Sequence, residues 1–359
     1  MNAHEFFAAL PIPIVQAPMV GAQGAELPLA VSGAGGLGSH GCGALAPEAI
    51  ERDAARLAAS GRPYALNLFV VAPARPAGDV VAAAIERLAP WYAELGLPPP
   101  DAPNDFAPDF EAQFAAVVRA APPAASFTFD RLSADKVRAL QAAGTLVIGT
   151  AASVAEARAW AEVGADAICA QGSEAGGHHG HFLAETEAGF VGMMALTPAV
   201  IAATGLPTIA AGGIMDGRGV AAALALGASA AQMGTAFLLA DEAQTSAPWR
   251  AAIEAASDDP TRFTRAISGR YARGIETRFM REMRALEDEI PAYPVQNRLT
   301  QPLRAAAVAA GEPELLSLWA GQGVKLARPG RAADLVSAWW REAKATAQDL
   351  ADSTAARRG

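Results

Sequence analysis

Short apolar or β-branched runs recur along the chain, and each ends in a small or polar residue before an alanine-rich stretch with helical spacing. This alternation predicts β/α units around a parallel sheet. The predicted strands are residues 12–17, 36–40, 64–69, 125–129, 146–150, 167–170, 208–211 and 230–234. A closed (β/α)8 TIM barrel requires eight such units, so the pattern predicts an α/β fold of that class.

Two of the intervening helices carry signals for where they begin. Ser153 with Glu156 predicts a capping box, in which each side chain accepts a hydrogen bond from the backbone of the other residue. Thr197 and Pro198 predict an N-cap followed by a proline at the first helical position.

Two segments interrupt the repeat: residues 73–123 after the third predicted strand and residues 243–315 after the eighth. Insertions after barrel strands lie at the carboxyl-terminal mouth, where barrel enzymes form their sites. We therefore expect these insertions to act as lids over a barrel made of residues 1–72, 124–242 and 316–359.

The chain holds 359 residues, 52% of them apolar, and its formal net charge is −9. This charge argues against nucleic acid or an anionic membrane as partner, because both require a positive field, and it favours a small molecule. Cys42 and Cys169 are too few for a disulfide framework, so we interpret each as a small buried residue in a reducing compartment. The N-terminus lacks a secretion-signal pattern, which predicts a cytoplasmic location.

Glycine-rich text follows the seventh and eighth predicted strands: "AAGGIMDGRG" at 210–219 and "AQMGTAF" at 231–237. Loops at these places often bind a phosphate in barrel enzymes, because unpaired backbone N–H groups converge on the anion. Gly212, Gly213 and Gly234 would let the backbone approach the phosphate, and Thr235 could add a hydroxyl. The alternative is that these glycines only form tight turns.

Other strand ends offer groups that suit a flat heteroaromatic ring such as isoalloxazine. They are Gln16, Ala17, Pro18 and Met19 in "QAPM", Asn67 in "LNLF", and Gln171 after "ICA". Side-chain amides both donate and accept, as the edge of such a ring requires. The alternative is that each amide caps a loop.

Residues 170–182, "AQGSEAGGHHGHF", hold three of the five histidines. Gly176 and Gly177 can take positive φ and aim the next residue, His178, across the barrel mouth. Histidine titrates near neutral pH, so we predict a general base or an electrostatic partner at His178. His179 and His181 are expected to face solvent or pack at the edge of the loop. No recognised ligand spacing accompanies them, so no metal site is predicted.

Two other groups of residues receive structural interpretations. The arginines of residues 262–284 are expected to form a solvated, salt-bridged face, with one or two available for an anionic substrate or phosphate. Trp339 and Trp340 are expected in the core.

Several motifs together resemble the class I nitronate monooxygenases, formerly called nitropropane dioxygenases. The similar segments are "PIVQAPM" at 13–19, "GAGGLGS" at 33–39, "NLF" at 67–69, "AQGSEAGGHHG" at 170–180, "AAGGIMDGRGVAAALALGAS" at 210–229, "QMGTAF" at 232–237, "SGRYARG" at 268–274 and "WAGQG" at 319–323. The resemblance implies an FMN-binding barrel, with residues 73–123 and 243–315 forming a smaller, mainly helical cap or substrate domain.

The resemblance also implies the site. His178 matches the catalytic histidine. Combined with the turn and ring arguments, the predicted FMN-binding residues are Ala17, Pro18, Met19, Asn67, Gln171, Gly176, Gly177, Gly212, Gly213, Gln232, Met233, Gly234 and Thr235.

The activity that the resemblance implies is oxidation of alkyl nitronates, such as propionate 3-nitronate, by O2 to carbonyl compounds and nitrite. His178 would position the nitronate and could abstract a proton from a neutral nitroalkane. Two alternatives stay open: a flavin-dependent NAD(P)H:quinone or enoyl-thioester reductase of the same superfamily, and a flavin or phosphate-ligand binding protein without turnover.

Overall fold

Eight parallel strands form the centre of the protein in a computed structural model that describes residues 2–183 and 190–357. The barrel strands are β1 (Ile14–Gln16), β2 (Gly38–Gly41), β3 (Tyr64–Phe69), β4 (Ala124–Thr128), β5 (Leu146–Ala151), β6 (Ala167–Gln171), β8 (Thr208–Ala211) and β9 (Ala230–Met233). Each falls within a residue or two of a predicted strand. The prediction of a (β/α)8 TIM barrel is therefore confirmed.

The barrel closes between its first two strands. The hydrogen-bonded order is β1-β9-β8-β6-β5-β4-β3-β2, and Leu37 joins the two ends. Its N–H donates to Ile14 O at 2.9 Å, while Gln16 N–H donates to Leu37 O at 2.9 Å. Closure leaves no free sheet edge, and all carboxyl ends of the strands meet at one mouth.

A second sheet of three short antiparallel strands lies outside the barrel. Its order is β10 (Thr261–Thr264), β11 (Ala272–Ile275) and β7 (Gly177–His178). β7 belongs to the histidine-rich segment, and β11 belongs to "SGRYARG". This sheet therefore links two of the motifs.

Thirteen helices surround the strands in the described ranges: α1 (Ala3–Ala8), α2 (Glu26–Gly33), α3 (Pro47–Ala58), α4 (Gly78–Glu94), α5 (Phe110–Ala120), α6 (Ala134–Ala142), α7 (Val154–Glu162), α8 (Met193–Thr204), α9 (Gly217–Ala225), α10 (Ala247–Glu254), α11 (Arg278–Met283), α12 (Val295–Ala310) and α13 (Ala332–Ala356). None of these helices combines the length and apolarity needed to cross a membrane.

The two predicted helix starts have different outcomes. Ser153 caps α7 by accepting from Glu156 N–H at 3.2 Å, but the Glu156 carboxylate accepts instead from Ala152 N–H at 2.8 Å. The predicted start at Thr197 and Pro198 is wrong, because both lie inside α8.

The cap of α8 comes from a distant residue. The Glu174 carboxylate accepts from Met193 N–H at 2.9 Å and so stabilises the positive end of the helix dipole. Because Glu174 belongs to the histidine-rich segment, the local sequence around Thr197 does not reveal where α8 begins.

The amino-terminal end of the barrel is filled with apolar side chains. Phe6 and Phe7 of α1, with Leu10 just after the helix, pack against strand residues that point into the barrel, among them Ile148 and Cys169. Trp339 of α13 is fully buried between α13 and the barrel, as predicted, while Trp340 is partly buried against the same cluster.

Both cysteines are buried, and burial raises the pKa of the Cys42 and Cys169 thiols to about 12. The thiolate is the reactive form of cysteine, so these thiols are inert at neutral pH. The interpretation as small buried residues is confirmed.

The two insertions pack in different places. α4 packs against α12, and Leu88 and Trp91 share a separate apolar cluster with Phe279 and Leu299. α5 lies in the same insertion as α4, yet it packs on α3 and β3, with Phe114 in the cluster of the barrel. The division into a barrel and a cap over residues 73–123 and 243–315 stays a prediction.

A substitution at Gly38 can test how closely α2 packs on β2. A Cβ at Gly38 would lie 2.1 Å from Pro28 O, a backbone atom that cannot move without the helix. We expect Gly38→Ala to lower the free energy of unfolding by about 1–3 kcal/mol, as overpacked cores do. Urea unfolding followed by circular dichroism measures this change.

Gly33→Ala is the matched control, because Gly33 is exposed at the end of α2 with nothing within 4 Å of its Cβ position. It should shift stability by no more than about 1 kcal/mol. Equal effects of the two substitutions would contradict the close packing.

Candidate active site

A cavity of about 1420 Å³ opens at the carboxyl ends of the barrel strands. All but one of the predicted site residues line it: Ala17, Pro18, Met19, Asn67, Gln171, Gly176, Gly177, His178, Gly212, Gly213, Gln232, Gly234 and Thr235. The exception is Met233, whose side chain is fully buried in the core and whose carbonyl accepts from Ala17 N–H at 2.8 Å. The sequence therefore predicted which strand ends meet.

The turns after β8 and β9 present free donors to the cavity. Gly212 and Gly213 have φ values of +124° and +68°. Within residues 2–183 and 190–357, the N–H groups of Gly213, Gly234 and Thr235 have no protein acceptor. Thr235 Oγ1 accepts from Gly321 N–H at 2.9 Å, which leaves its hydroxyl proton available to a ligand. We call these two turns the anion cup, because such donors suit a phosphate.

The predicted amide residues bond mainly to the protein. Gln171 Nε2 donates to His178 O at 3.1 Å, and Gln171 Oε1 accepts from Gly180 N–H at 2.6 Å. Asn67 Nδ2 donates to Ser126 Oγ at 3.0 Å. Gln16 lies behind the cavity wall and donates to Gln23 Oε1 at 2.8 Å. Gln171 thus holds the histidine-rich loop in place, in line with the alternative of a loop-capping amide.

The histidine-rich segment forms a strand rather than an irregular loop at its centre. β7 pairs antiparallel with β11, with His178 opposite Ala272, and His179 N–H donates to Tyr271 O at 2.9 Å. Gly177 takes φ +75°, as expected, whereas Gly176 does not take a positive φ. The pairing fixes the backbone on both sides of the His178 side chain.

Two distant backbone segments touch beside this strand. A Cβ at Gly176 would lie 2.4 Å from Gly321 N, and a Cβ at Gly321 would lie 2.6 Å from Glu174 O. Gln322 N–H also donates to Glu174 O at 2.9 Å. The "EAGG" and "WAGQG" segments therefore meet backbone to backbone, with no space for a side chain.

Aromatic rings surround His178. The distances between ring centroids are 6.1 Å to Phe69, 5.3 Å to Phe129, 5.7 Å to Tyr293 and 5.6 Å to Trp319. We call these four residues the aromatic enclosure. Apart from Phe129, they also line the cavity, so a ligand beside His178 would be shielded from bulk water.

Ser268 determines which nitrogen of His178 carries the proton. Ser268 Oγ donates to Arg270 O at 3.1 Å and lies 2.9 Å from His178 Nε2. A hydroxyl has a single proton, so its oxygen accepts from Nε2–H. The lone pair on His178 Nδ1 then remains available for a ligand.

Burial, aided by the positive charges of Arg270 and Arg304, lowers the pKa of His178 to about 3. His178 is therefore neutral at neutral pH, and its role as a general base or an electrostatic partner stays a prediction. Burial also lowers the pKa of both arginines to about 10, so both stay charged at neutral pH. The positive potential of the site comes from arginine rather than from histidine.

Six of the seven arginines of residues 262–284 divide into two groups, and the seventh, Arg265, lies over the ring of Tyr271 at 5.8 Å. Four form ion pairs with carboxylates near the surface, as expected: Arg262, Arg278, Arg281 and Arg284. Arg270 instead donates to the carbonyls of Phe129 and His181, and Arg273 donates to Ser173 O at 2.9 Å. For Arg270 and Arg273 the prediction of a solvated face is wrong, because they fasten the histidine-rich segment to the second sheet.

His179 and His181 are buried, so of the two expected arrangements exposure to solvent is wrong, while packing against neighbouring residues is observed. Their Nδ1 atoms lie 3.2 Å apart, and His179 stacks on Phe190 with ring centroids 3.7 Å apart. Burial, with the adjacent positive charge of Arg270, lowers the pKa of His179 to about 3 and that of His181 to about 4. Both rings are neutral packing elements of the native state.

Sequence reasoning did not single out four residues around the site: Ser268, Tyr293, Arg304 and Trp319. Ser268 and Trp319 lie in the motifs "SGRYARG" and "WAGQG", so a signal was present for them. Tyr293 and Arg304 follow "SGRYARG" in the insertion of residues 243–315 and belong to no motif. Only the fold brings them to the cavity.

The fold and the cavity define a TIM-barrel enzyme whose site lies at the carboxyl ends of the strands. The sequence profile described as nitronate monooxygenase matches residues 4–342. The chain belongs to this family, and it is an oxidoreductase. The resemblance given by the sequence motifs is thereby confirmed.

Individual relatives agree with this assignment. A probable nitronate monooxygenase from Staphylococcus aureus (strain Newman) is 40% identical over 318 residues, which cover 88% of this chain and 89% of the relative. The solved structure of nitroalkane oxidase from Streptomyces ansochromogenes is 38% identical, with a TM-score of 0.90 and coverage of 96% and 99%. FabK from Thermotoga maritima is 28% identical, with a TM-score of 0.76 and coverage of 98% and 99%.

The buried pair His179 and His181 predicts acid sensitivity. In the native state their pKa values lie below the ordinary value of 6.5. Below pH 6.5 the unfolded chain therefore binds protons at these two histidines that the native state does not bind. Stability should be fully present above pH 6.5 and fall towards pH 4, by about 1.4 kcal/mol per pH unit for each withheld proton.

The double substitution His179→Asn and His181→Asn should flatten this slope in urea unfolding measured between pH 7 and pH 4. His4→Asn, at an exposed position in α1, is the control and should leave the slope as it is. An unchanged slope in the double variant would show that the pair does not cause the acid sensitivity.

Proposed function

We propose that the protein is an FMN-dependent nitronate monooxygenase that oxidises alkyl nitronates, propionate 3-nitronate among them, with O2 to carbonyl compounds and nitrite. One observation carries the proposal. A single cavity combines the anion cup with a neutral histidine inside an aromatic enclosure, and two partly buried arginines, Arg270 and Arg304, supply positive potential at this histidine. A phosphate-bearing cofactor and a small anionic substrate both fit this combination.

FMN fits the residues present. Gly213, Gly234 and Thr235 would hold the phosphate through their unpaired N–H groups, and the Thr235 hydroxyl adds a donor. Ala17, Met19 and other cavity-lining residues would contact the ring system. When bound, the flavin takes electrons from the substrate and passes them to O2, which is the difficult chemistry of the reaction.

The residues of the chain then have three tasks. Arg270 and Arg304 stabilise an anion in the cavity, and the aromatic enclosure keeps water away from it. His178 Nδ1 offers a lone pair that can accept a proton from the carbon of a neutral nitroalkane. An anion beside His178 would also raise the pKa of the imidazole, because opposite charges favour the protonated form.

The size of the cavity favours one second candidate. At about 1420 Å³ it exceeds the roughly 300–1,000 Å³ of ordinary ligand pockets. It could therefore admit a second large ligand beside FMN. NAD(P)H-dependent reduction of a quinone or an enoyl thioester is the activity that would use this space.

The purified protein tests the two candidates. A flavin visible spectrum, FMN released on heat denaturation, and O2 uptake with nitrite formation from propionate 3-nitronate would support the proposal. Rapid bleaching of the flavin by NADH without nitronate would favour the reductase instead. A protein that binds no flavin would refute both.

His178→Asn should keep the bound FMN and lower kcat with neutral nitroethane, whose carbon must lose a proton, by about two to four powers of ten, the usual cost of a lost acid/base group. Oxygen-electrode assays measure kcat, and the visible spectrum reports bound FMN. The exposed His4→Asn serves as control. Unchanged turnover in His178→Asn would remove His178 from the mechanism.

Thr235→Val tests the anion cup. The substitution removes a hydroxyl donor at nearly constant volume, so we expect the dissociation constant of FMN to rise about tenfold. Fluorescence titration of the flavin-free protein measures it. Thr145→Val is the matched control, because Thr145 is buried outside the cavity. If both variants bind FMN like the unaltered protein, the hydroxyl of Thr235 does not contact the cofactor.

A further inference from the structure

One face of α12 forms part of the cavity wall. Asn297, Gln301 and Arg304 recur at the spacing i, i+4 and i+7, which places them on the same side of a helix, and all three line the cavity. Tyr293, just before α12, lines it as well and belongs to the aromatic enclosure. The helical insertion thus brings polar groups to the site of the barrel.

Among residues 2–183 and 190–357, no carboxylate forms an ion pair with Arg304. Its Nη2 donates to Asn297 O at 3.1 Å and to Asn297 Oδ1 at 2.9 Å. Its Nε is buried and has no acceptor in the part of the chain that the structure describes. The titratable groups near it are the hydroxyls of Tyr293 and Tyr92, and burial lowers the pKa of the guanidinium to about 10.

Such an arrangement is costly for the folded protein. A buried charge without a partner destabilises the native state, and an N–H without an acceptor adds to the cost. Carboxylates are not scarce, since Asp and Glu number 37 against 28 Lys and Arg. The nearby surface arginines Arg278, Arg281 and Arg284 all have carboxylate partners. An anionic ligand in the cavity would offset the cost at Arg304.

An anion bound by Arg304 would be distinct from the cofactor phosphate and from the reacting group of the substrate. The anion cup on β8 and β9 suits the cofactor phosphate, while the reacting group must lie beside His178. Arg304 is close enough to His178 to lower the pKa of its imidazole, but it makes no hydrogen bond to it. Tyr293 contacts the His178 ring and also interacts electrostatically with Arg304. A second anionic group on the same small substrate would reach this place.

We propose that Arg304 is a specificity-determining residue, which binds a carboxylate at the end of the substrate remote from the nitronate. This inference rests on the proposed function, because it assigns the far end of the same substrate. A guanidinium pairs with a carboxylate through two parallel N–H···O bonds, which gives both affinity and orientation. Nitronates that carry a carboxylate on a short chain are then preferred over uncharged ones.

The test compares two substrates in Arg304→Gln. The ratio of kcat/KM for propionate 3-nitronate to kcat/KM for the nitronate of 1-nitropropane should fall about 10- to 100-fold, the value of a charge-assisted hydrogen bond. The loss should appear mainly in KM, because binding at this end is the same in the ground state and the transition state. Arg304→Lys keeps the charge and should restore part of the preference. An unchanged ratio in Arg304→Gln overturns the proposal.

Arg298→Gln is the matched control. Arg298 also lines the cavity from α12, but it is exposed and donates to Gln301 Oε1 at 2.7 Å. Its loss should change the ratio by less than about fivefold, as expected for a surface charge. A larger effect from Arg298→Gln than from Arg304→Gln would mean that Arg298 binds the carboxylate, and it would overturn the proposal.

A binding measurement separates this proposal from the proposed function. Succinate carries two carboxylates and cannot be oxidised as a nitronate, and isothermal titration calorimetry of the FMN-loaded protein gives its dissociation constant. We expect Arg304→Gln to raise that constant about tenfold or more. No succinate binding by the unaltered protein, or equal binding by the variant, overturns the role of Arg304. If succinate binding is lost in Arg304→Gln while no nitronate is oxidised by the unaltered protein, the anion site stands and the proposed function fails.

Discussion

The pairing of β7 with β11 is the interaction on which the site depends. Two residue pairs join these strands, and Arg270 and Arg273 fasten the flanking loops by donating to the carbonyls of His179, His181 and Ser173 in the histidine-rich segment. Without this sheet, a segment with two glycines before His178 would have many conformations of similar energy. The barrel supplies the cavity, but the second sheet supplies the orientation of the histidine within it.

The electrostatics of the site follow from the same contacts. Arg270 donates its hydrogen bonds to backbone carbonyls rather than to a carboxylate, and the charges of Glu156 and Asp130 offset part of its positive charge. Together with Arg304 and with burial, it holds His178 in the neutral form. The site can hold a neutral His178 ring, bonded through Nε2 to Ser268, and still have a positive potential, because the arginines and not the histidine carry the charge. A protonated histidine would combine both properties in one group and lose the free lone pair.

The sequence predicted the barrel strands well because most of them are short apolar runs, which burial on both faces of a parallel sheet requires; β2, with the sequence GSHG, is the exception. It also predicted the cavity-lining turns, since the carboxyl ends of barrel strands must meet. It failed where the deciding partner is distant. The start of α8 depends on Glu174, and the burial of His179 and His181 depends on Phe190, Phe263 and Tyr271, which local patterns do not connect. Tyr293 and Arg304 reach the site only through the packing of α12.

The backbone contact between Gly176 and Gly321 fixes two distant segments of the chain relative to each other. A methyl group at either position would push the peptide that precedes His178 away from the peptide that follows Trp319, and Gln322 would lose its bond to Glu174. Neither the "EAGG" segment nor the "WAGQG" segment can therefore move without the other. A chain with glycine at only one of the two positions would have to move the wall of the pocket, even with every other cavity-lining residue left intact.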